Sequence, residues 1–476
     1  MAPPPPPVPS AGPLRANAWT GSEAASGHLS ADAAQWARED HVLGAPSATL
    51  AADPLAGLDP LDARVGWGLV LPERPGLTRA ELARADDAPE PARRLAAARS
   101  ATGVPVVLRY RPGDLTHLHR YLPSGVDVPV PTAGDGARGA SVGALPWYLL
   151  LLGPPEDLPW ELQLVLNASS HTGRLDLDAA GLEHYVEAAL GGWATAAVDA
   201  TSPLAWTVEH GPADITRLLR EEVGAPVVAR WRGDPQIGDR AVELRGPGAT
   251  GDALADALAE QRPAVVVTTS HGATDTSVPP EEMRRTLGTL VDATHTPVPP
   301  ERLLRDWQPD GVVWYSLACC SAGGSGRNLF EGLLDPGSSA GAVVAAVAGL
   351  GPTSAALPRA LLGAPRPARA VVGHLEPTFD WTLRRPDTHV STSAALVSTL
   401  YDKLFQARPL PVGPAFRAYL DQAGALRSAW ALAGATAGSD PAAAGRALVA
   451  ALTSIDRQCT VILGDPAVAP AALPPQ

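Results

Sequence analysis

Two stretches decide the fold: AVVVTTSHG at 264–272 and GVVWYSLACCSAGG at 311–324. Each is a short, near-continuous apolar run rich in β-branched and aromatic residues, the pattern of a strand buried on both faces. Each also ends in residues that can do chemistry. The first delivers His271 and Gly272; the second delivers Cys319 and Cys320 ahead of Ser321, Ala322, Gly323 and Gly324. In open α/β sheets such groups collect beyond the carboxyl ends of the strands. The 49 positions from His271 to Cys320 fit two adjacent parallel strands joined by one helical crossover.

Outward from this pair the alternation continues. GATGDALADALAEQ (248–261) reads as a helix with Thr250 as its N-cap. PPEEMRRTLGTLV and PPERLLRDW read as helices opening on proline, and RNLFEGLLD as a further helix. PVVARW (226–231), AVVAAVAG (342–349) and TVIL (460–463) read as strands, as do PVVLRY (105–110) and WYLLLL (147–152). RLDLDAAGLEHYVEAAL (174–190) reads as a strand end and an amphipathic helix with Leu182, Tyr185, Val186 and Leu190 on one face. Strands alternating with helices predict an α/β protein with a mostly parallel sheet covered by helices. The expected division is a Pro/Ala-rich extension over 1–60, a smaller α/β subdomain over 61–205, and the main α/β unit over 206–476. The Pro-rich start of the extension is expected to be extended and mobile.

Composition narrows the function classes. The 476 residues carry 37 Lys+Arg against 50 Asp+Glu, a net charge of −13, which disfavours a nucleic-acid groove as the main surface. Lys403 is the only lysine. That lopsidedness reads as the composition bias of a GC-rich bacterium rather than as phosphate recognition. Three cysteines exclude a disulfide scaffold, and the adjacency of two favours reduced thiols. The start has neither the charged nor the apolar region of a secretory signal, and no apolar run reaches the length of a membrane helix. A cytoplasmic protein without membrane or nucleic-acid partners is the expectation.

A thiolate is a strong nucleophile, and a neighbouring imidazole can take its proton and pass it to a leaving amine. Gly272 lets a carbonyl approach the backbone, and the glycines after Cys320 let the chain turn sharply off the strand. A free cysteine is more often a small core residue, and a lone Ser-His-Gly is weak. The conjunction of both, in order and at strand ends, is what carries weight. If the second strand stays regular through residue 320, alternation sends the two thiols to opposite faces, with Cys319 packed against the helical layer. His171 reads as a surface or loop histidine, His295 as a loop residue, and Asp465 as a turn-former. His374-Leu375-Glu376 with Phe379 and Trp381 are candidates to line a cleft. No metal-ligand spacing and no phosphate loop is present, so no metal or cofactor is expected.

AVVVTTSHG followed by VVWYSLACCSAGG resembles the two signature strands of the caspase-like clan of cysteine peptidases, which includes caspases, metacaspases, legumain, separase, gingipains and the bacterial CHAT proteases. GPGATGDALADALAEQRPAVVVTTSHG (246–272) is similar to the CHAT run-up to the histidine. LFEGLL (329–334) with GAVVAAVAG, and TVILGDPAV (460–468), resemble gingipain segments; WYLLLLGPPEDLP and GRLDLDAAGLEHYV more weakly resemble the first, non-catalytic gingipain subdomain. The resemblance implies a caspase-like fold and a cysteine endopeptidase with a His271–Cys320 dyad. Cys320 fits the clan's Cys-x-x-Gly spacing, whereas Ala318-Cys319 echoes the Ala-Cys of caspases. It further implies an oxyanion hole from the backbone N–H groups of Gly272 and Cys320, no essential third residue, a protein substrate, and no cofactor. An activating protein partner and a role in bacterial antiviral defence belong to the same expectation. The rival expectation is a catalytically silent caspase-like scaffold acting through protein–protein contacts.

Overall fold

The computed structural model describes residues 12–37, 39, 59–134, 136–436 and 440–475. The strands are β1 (Leu14–Trp19), β2 (Ala24–Gly27), β3 (Trp67–Pro72), β4 (Val106–Tyr110), β5 (His117–Tyr121), β6 (Asp127–Pro131), β7 (Tyr148–Leu152), β8 (His171–Leu175), β9 (Leu204–Thr207) and β10 (Val242–Arg245). They continue as β11 (Val265–Thr269), β12 (His271–Ala273), β13 (Leu290–Val291), β14 (Pro297–Val298), β15 (Val313–Leu317), β16 (Gly323–Gly324), β17 (Thr353–Ser354), β18 (Ala370–His374) and β19 (Thr460–Gly464).

Twelve of these form one continuous sheet in the order β10-β9-β11-β15-β18-β19-β8-β7-β3-β4-β5-β6. The run from β10 to β18 is parallel, as is the run from β19 to β4; the two runs oppose each other at the antiparallel β18–β19 pair. The crossovers are helical, as parallel pairing requires. Thus Gly251–Gln261 precedes β11, and Ser339–Gly349 and Ala356–Gly363 link β15 to β18. The fold is α/β with a mostly parallel sheet flanked by helices. β9 spans residues 204–207, and the last strand, β19, lies beside β8, so the sheet runs unbroken through 61–205 and 206–476. Among the described residues no helix is long and apolar enough to cross a membrane.

Several local expectations are realised. Thr250 caps the helix Gly251–Gln261 by accepting the Ala253 N–H, and the central strands β11 and β15 are fully buried. Others are corrected. PVVARW lies in the helix Ala225–Gly233, where Val227, Val228 and Trp231 are buried at helical spacing and Pro226 sits in the first turn. AVVAAVAG lies in the helix Ser339–Gly349: Ser338 caps it, and Ala340, Val343, Val344 and Val347 make the buried stripe. Short apolar runs do not separate buried strand from buried helix by periodicity. RNLFEGLLD is not helical; its carbonyls at Gly332 and Leu333 are taken by Ser30, and Gly332 adopts a φ of +84°.

His171 is not a surface residue but opens β8, and burial with nearby Arg417 and Arg138 pushes its pKa down to about 3. Asp465 does turn the chain, accepting the Ala467 N–H, but it is also fully buried, receiving Trp67 Nε1 at 3.0 Å and pairing with Arg99 at 2.9 Å. The Pro-rich start at 1–11 lies outside the described residues. Residues 14–27 form the strands β1 and β2 of a second sheet, ordered β14-β13-β12-β1-β2.

Candidate active site

The site forms where the two sheets meet. β11 and β15 are parallel neighbours in register from Val265↔Val313 to Thr269↔Leu317. Beyond Thr269 the chain leaves the large sheet and becomes β12, pairing with β13 on one side and β1 on the other. Beyond Leu317 strand geometry stops, and Cys320 adopts a left-handed φ of +54°. Past these ends the Cys319 backbone lies against Gly272, the residue after His271. The backbones touch there: a Cβ on Gly272 would lie 1.9 Å from the Cys319 carbonyl oxygen, so only glycine fits. Gly288, at φ +71°, makes the equivalent approach to the Cys320 carbonyl.

The expected separation of the two thiols onto opposite faces is corrected. Regular alternation ends at Leu317, and the left-handed turn at Cys320 brings the sulfurs to 3.3 Å from one another. His271, Cys319 and Cys320 are all fully buried. Burial, the Cys319 thiol, Glu376 and Cys459 push the Cys320 thiol well above its ordinary value.

His271 has a partner that the sequence did not reveal. Its Nε2 lies 3.0 Å from Oδ2 of Asp214, the residue that caps the helix Ile215–Leu219. Desolvation would raise the Asp214 carboxyl, but its bonds to His271 and Thr216 outweigh that and hold it well below the usual carboxylate range. An ionised Asp214 accepts a hydrogen bond from a proton-bearing Nε2 of His271, while Nδ1 is buried without a protein partner. His210 stacks on His271 with ring centroids 5.2 Å apart and donates Nε2–H to the Asp292 carbonyl at 2.8 Å. Burial lowers its pKa. His295 packs against His210 at 4.1 Å and Trp19 stacks on His295 at 4.4 Å. Among the described residues, His210, Asp214 and His271 bring one ligand-capable atom each within 4.8 Å of one another and could together hold a metal ion.

The backbone donors have a common target. The Cys319 N–H donates to the Asn17 carbonyl at 3.4 Å. In the β1–β12 ladder Ala18 pairs with Gly272 and the Thr274 N–H donates to the Trp19 carbonyl at 2.9 Å. The same alternation, two residues back, aims the Gly272 N–H at that Asn17 carbonyl. His374, Leu375, Glu376, Phe379 and Trp381 are buried: Phe379 bridges Ala16 of β1, while the His374 N–H donates to the Ser321 hydroxyl and Glu376 accepts from Ser325, just beyond the cysteines. An open cleft of about 680 Å3 beside the site is lined by Arg15, Ala213, Asp214, Glu221, Asp380 and Trp381 among others.

No family model matches the sequence, and no curated protein is similar to it. Among solved structures the chain is similar to the "complex of Porphyromonas gingivalis RgpB pro- and mature domains", at 12% identity and a TM-score of 0.34. The match covers 69% of this chain and 66% of that one, just under two thirds of its length.

Proposed function

We propose that the protein is a caspase-like cysteine endopeptidase whose base is His271, positioned by Asp214, and whose nucleophile comes from the Cys319–Cys320 pair. The observation that carries this reading is the β11–β15 register, which delivers an imidazole and two thiols from adjacent parallel strands to one sheet edge. Of the two thiols we favour Cys319. Its backbone lies against Gly272, and its own N–H shares a target with that of Gly272, as donors of one oxyanion hole must. Cys320 retains the Cys-x-x-Gly spacing in its favour.

His271 Nδ1 takes the thiol proton, and the thiolate attacks the scissile carbonyl carbon, forming a C–S bond. The oxyanion sits on the Cys319 and Gly272 amides. Collapse breaks the C–N bond, the amine leaves with the proton from His271, and water hydrolyses the thioester. Asp214 stabilises the imidazolium that carries the proton between these steps.

The second reading is the silent scaffold, and the complete burial of both thiols favours it. A thiol reagent with mass-spectrometric mapping separates the two. With strand β1 dislodged so that reagent reaches the thiols, labelling of the reactive cysteine in a peptidase falls when His271 is replaced by Ala; in a scaffold the replacement changes nothing.

A further inference from the structure

We infer that β1 is a built-in blocking strand, lying in the groove where an extended peptide substrate binds and shutting the thiols away until it leaves. This role rests on the peptidase reading above for the meaning of the groove.

The strand is placed as a bound peptide would be. On one side it pairs in parallel with β12 through Ala18↔Gly272 and Trp19↔Ala273. On the other it pairs antiparallel with β2 at its two ends, Arg15↔Ser26 and Trp19↔Ala24, and between them the Asn17 N–H donates to the Thr378 carbonyl at 3.1 Å while Asn17 Oδ1 accepts the Thr378 N–H at 2.8 Å. The Asn17 carbonyl occupies the position of a scissile carbonyl, facing the Cys319 and Gly272 amides together. Two residues earlier, on the same face of the strand, Arg15 reaches into the cleft. It pairs with Asp380 at 3.1 Å and also donates to the Ala213 carbonyl. Trp19 closes the other end over His210, His271 and His295.

The strand is also built to leave. Its sequence LRANAW buries one large apolar side chain, Leu14, beside Ala16 and Ala18, where β11 and β15 bury Val, Trp, Tyr and Leu, so it gives up less apolar area on opening. Asn17 Nδ2 is buried without a partner, a cost that release relieves. The peptide class that replaces it is then an extended segment with a cation two positions before the attacked carbonyl, held by the nearly buried Asp380 carboxylate.

The test alkylates the full chain with iodoacetamide and maps the labels, with Cys459, also buried, reporting opening of the core. Wild type is compared with the double variant Ala16→Glu/Ala18→Glu, which cannot seat two carboxylates in the groove. Labelling of Cys319 and Cys320 is expected to rise at least about tenfold with Cys459 still protected. Added peptide LRANAW restores protection, and LEANAW does not. Unchanged labelling, or Cys459 labelling in step with the pair, overturns the inference. Wild-type hydrogen exchange supplies a check free of mutation: the 14–19 amides should exchange well ahead of those of 265–269 and 313–317, and equal protection overturns it too. Labelling that rises without any cleavage of a peptide library supports the blocking strand and overturns the peptidase reading instead.

Discussion

His271 Nε2 stands 3.0 Å from Oδ2 of Asp214, a residue 57 positions earlier in the chain. The contact orients the imidazole and leaves its other nitrogen, Nδ1, buried without a hydrogen-bond partner. Asp214→Asn keeps an N-cap acceptor for the helix Ile215–Leu219, so the melting temperature should barely move. Turnover, measured with β1 dislodged, should fall about 100-fold. The acid limb of the pH profile should shift to lower pH, because an amide does not stabilise the imidazolium. An unmoved profile means that Asp214 does not act through His271.

The two thiols are separable by truncation. Cys319→Ala should abolish turnover, while Cys320→Ala retains it. Each should cost on the order of 1 kcal/mol in denaturant titration, since both side chains are fully buried and lose one heavy atom. The reverse activity pattern assigns the nucleophile to Cys320.

Glu376 predicts a pH signature of stability. Its carboxyl is fully buried, and desolvation raises its pKa to about 7 although the Ser325 hydroxyl donates to it at 2.7 Å. The folded chain holds this proton where the unfolded chain, near the ordinary value of about 4.3, has released it. Stability from this group is present below that value and is lost as pH rises toward 7. Glu376→Gln keeps the acceptor oxygen and should flatten that slope, worth at most about 4 kcal/mol across the window. Equal slopes in wild type and variant by urea titration at several pH values refute it.

Gly272→Ala should be among the most damaging single substitutions. The new methyl would sit 1.9 Å from the Cys319 carbonyl oxygen, which belongs to the backbone and cannot rotate away. Strands β12 and β15 would have to part, lowering the melting temperature and removing activity. A stable, active Gly272→Ala chain would show that the strand ends are not in contact.

What the sequence made legible was the sheet and its edge. The runs 264–269 and 311–318 read as buried strands because β-branched residues fill both faces, and their ends carry the chemistry. The runs at 226–231 and 342–349 look the same by composition, yet fold as helices whose buried residues recur three or four apart. Asp214 was invisible because nothing local marks it beyond an N-cap; only the fold carries that cap to His271. β1 was hidden for a different reason. LRANAW is too small and polar to read as a buried strand, and it is buried by its partners rather than by its own side chains.

The most direct measurement is a peptide-library digest by the β1-dislodged chain, run beside the same chain carrying His271→Ala or Cys319→Ala. Cleavage enriched for a basic residue two positions before the residue whose carbonyl is attacked, and lost in both variants, is expected. No cleavage by the parent chain with its thiols exposed, or cleavage that survives the loss of His271, contradicts a thiol–imidazole peptidase at this site.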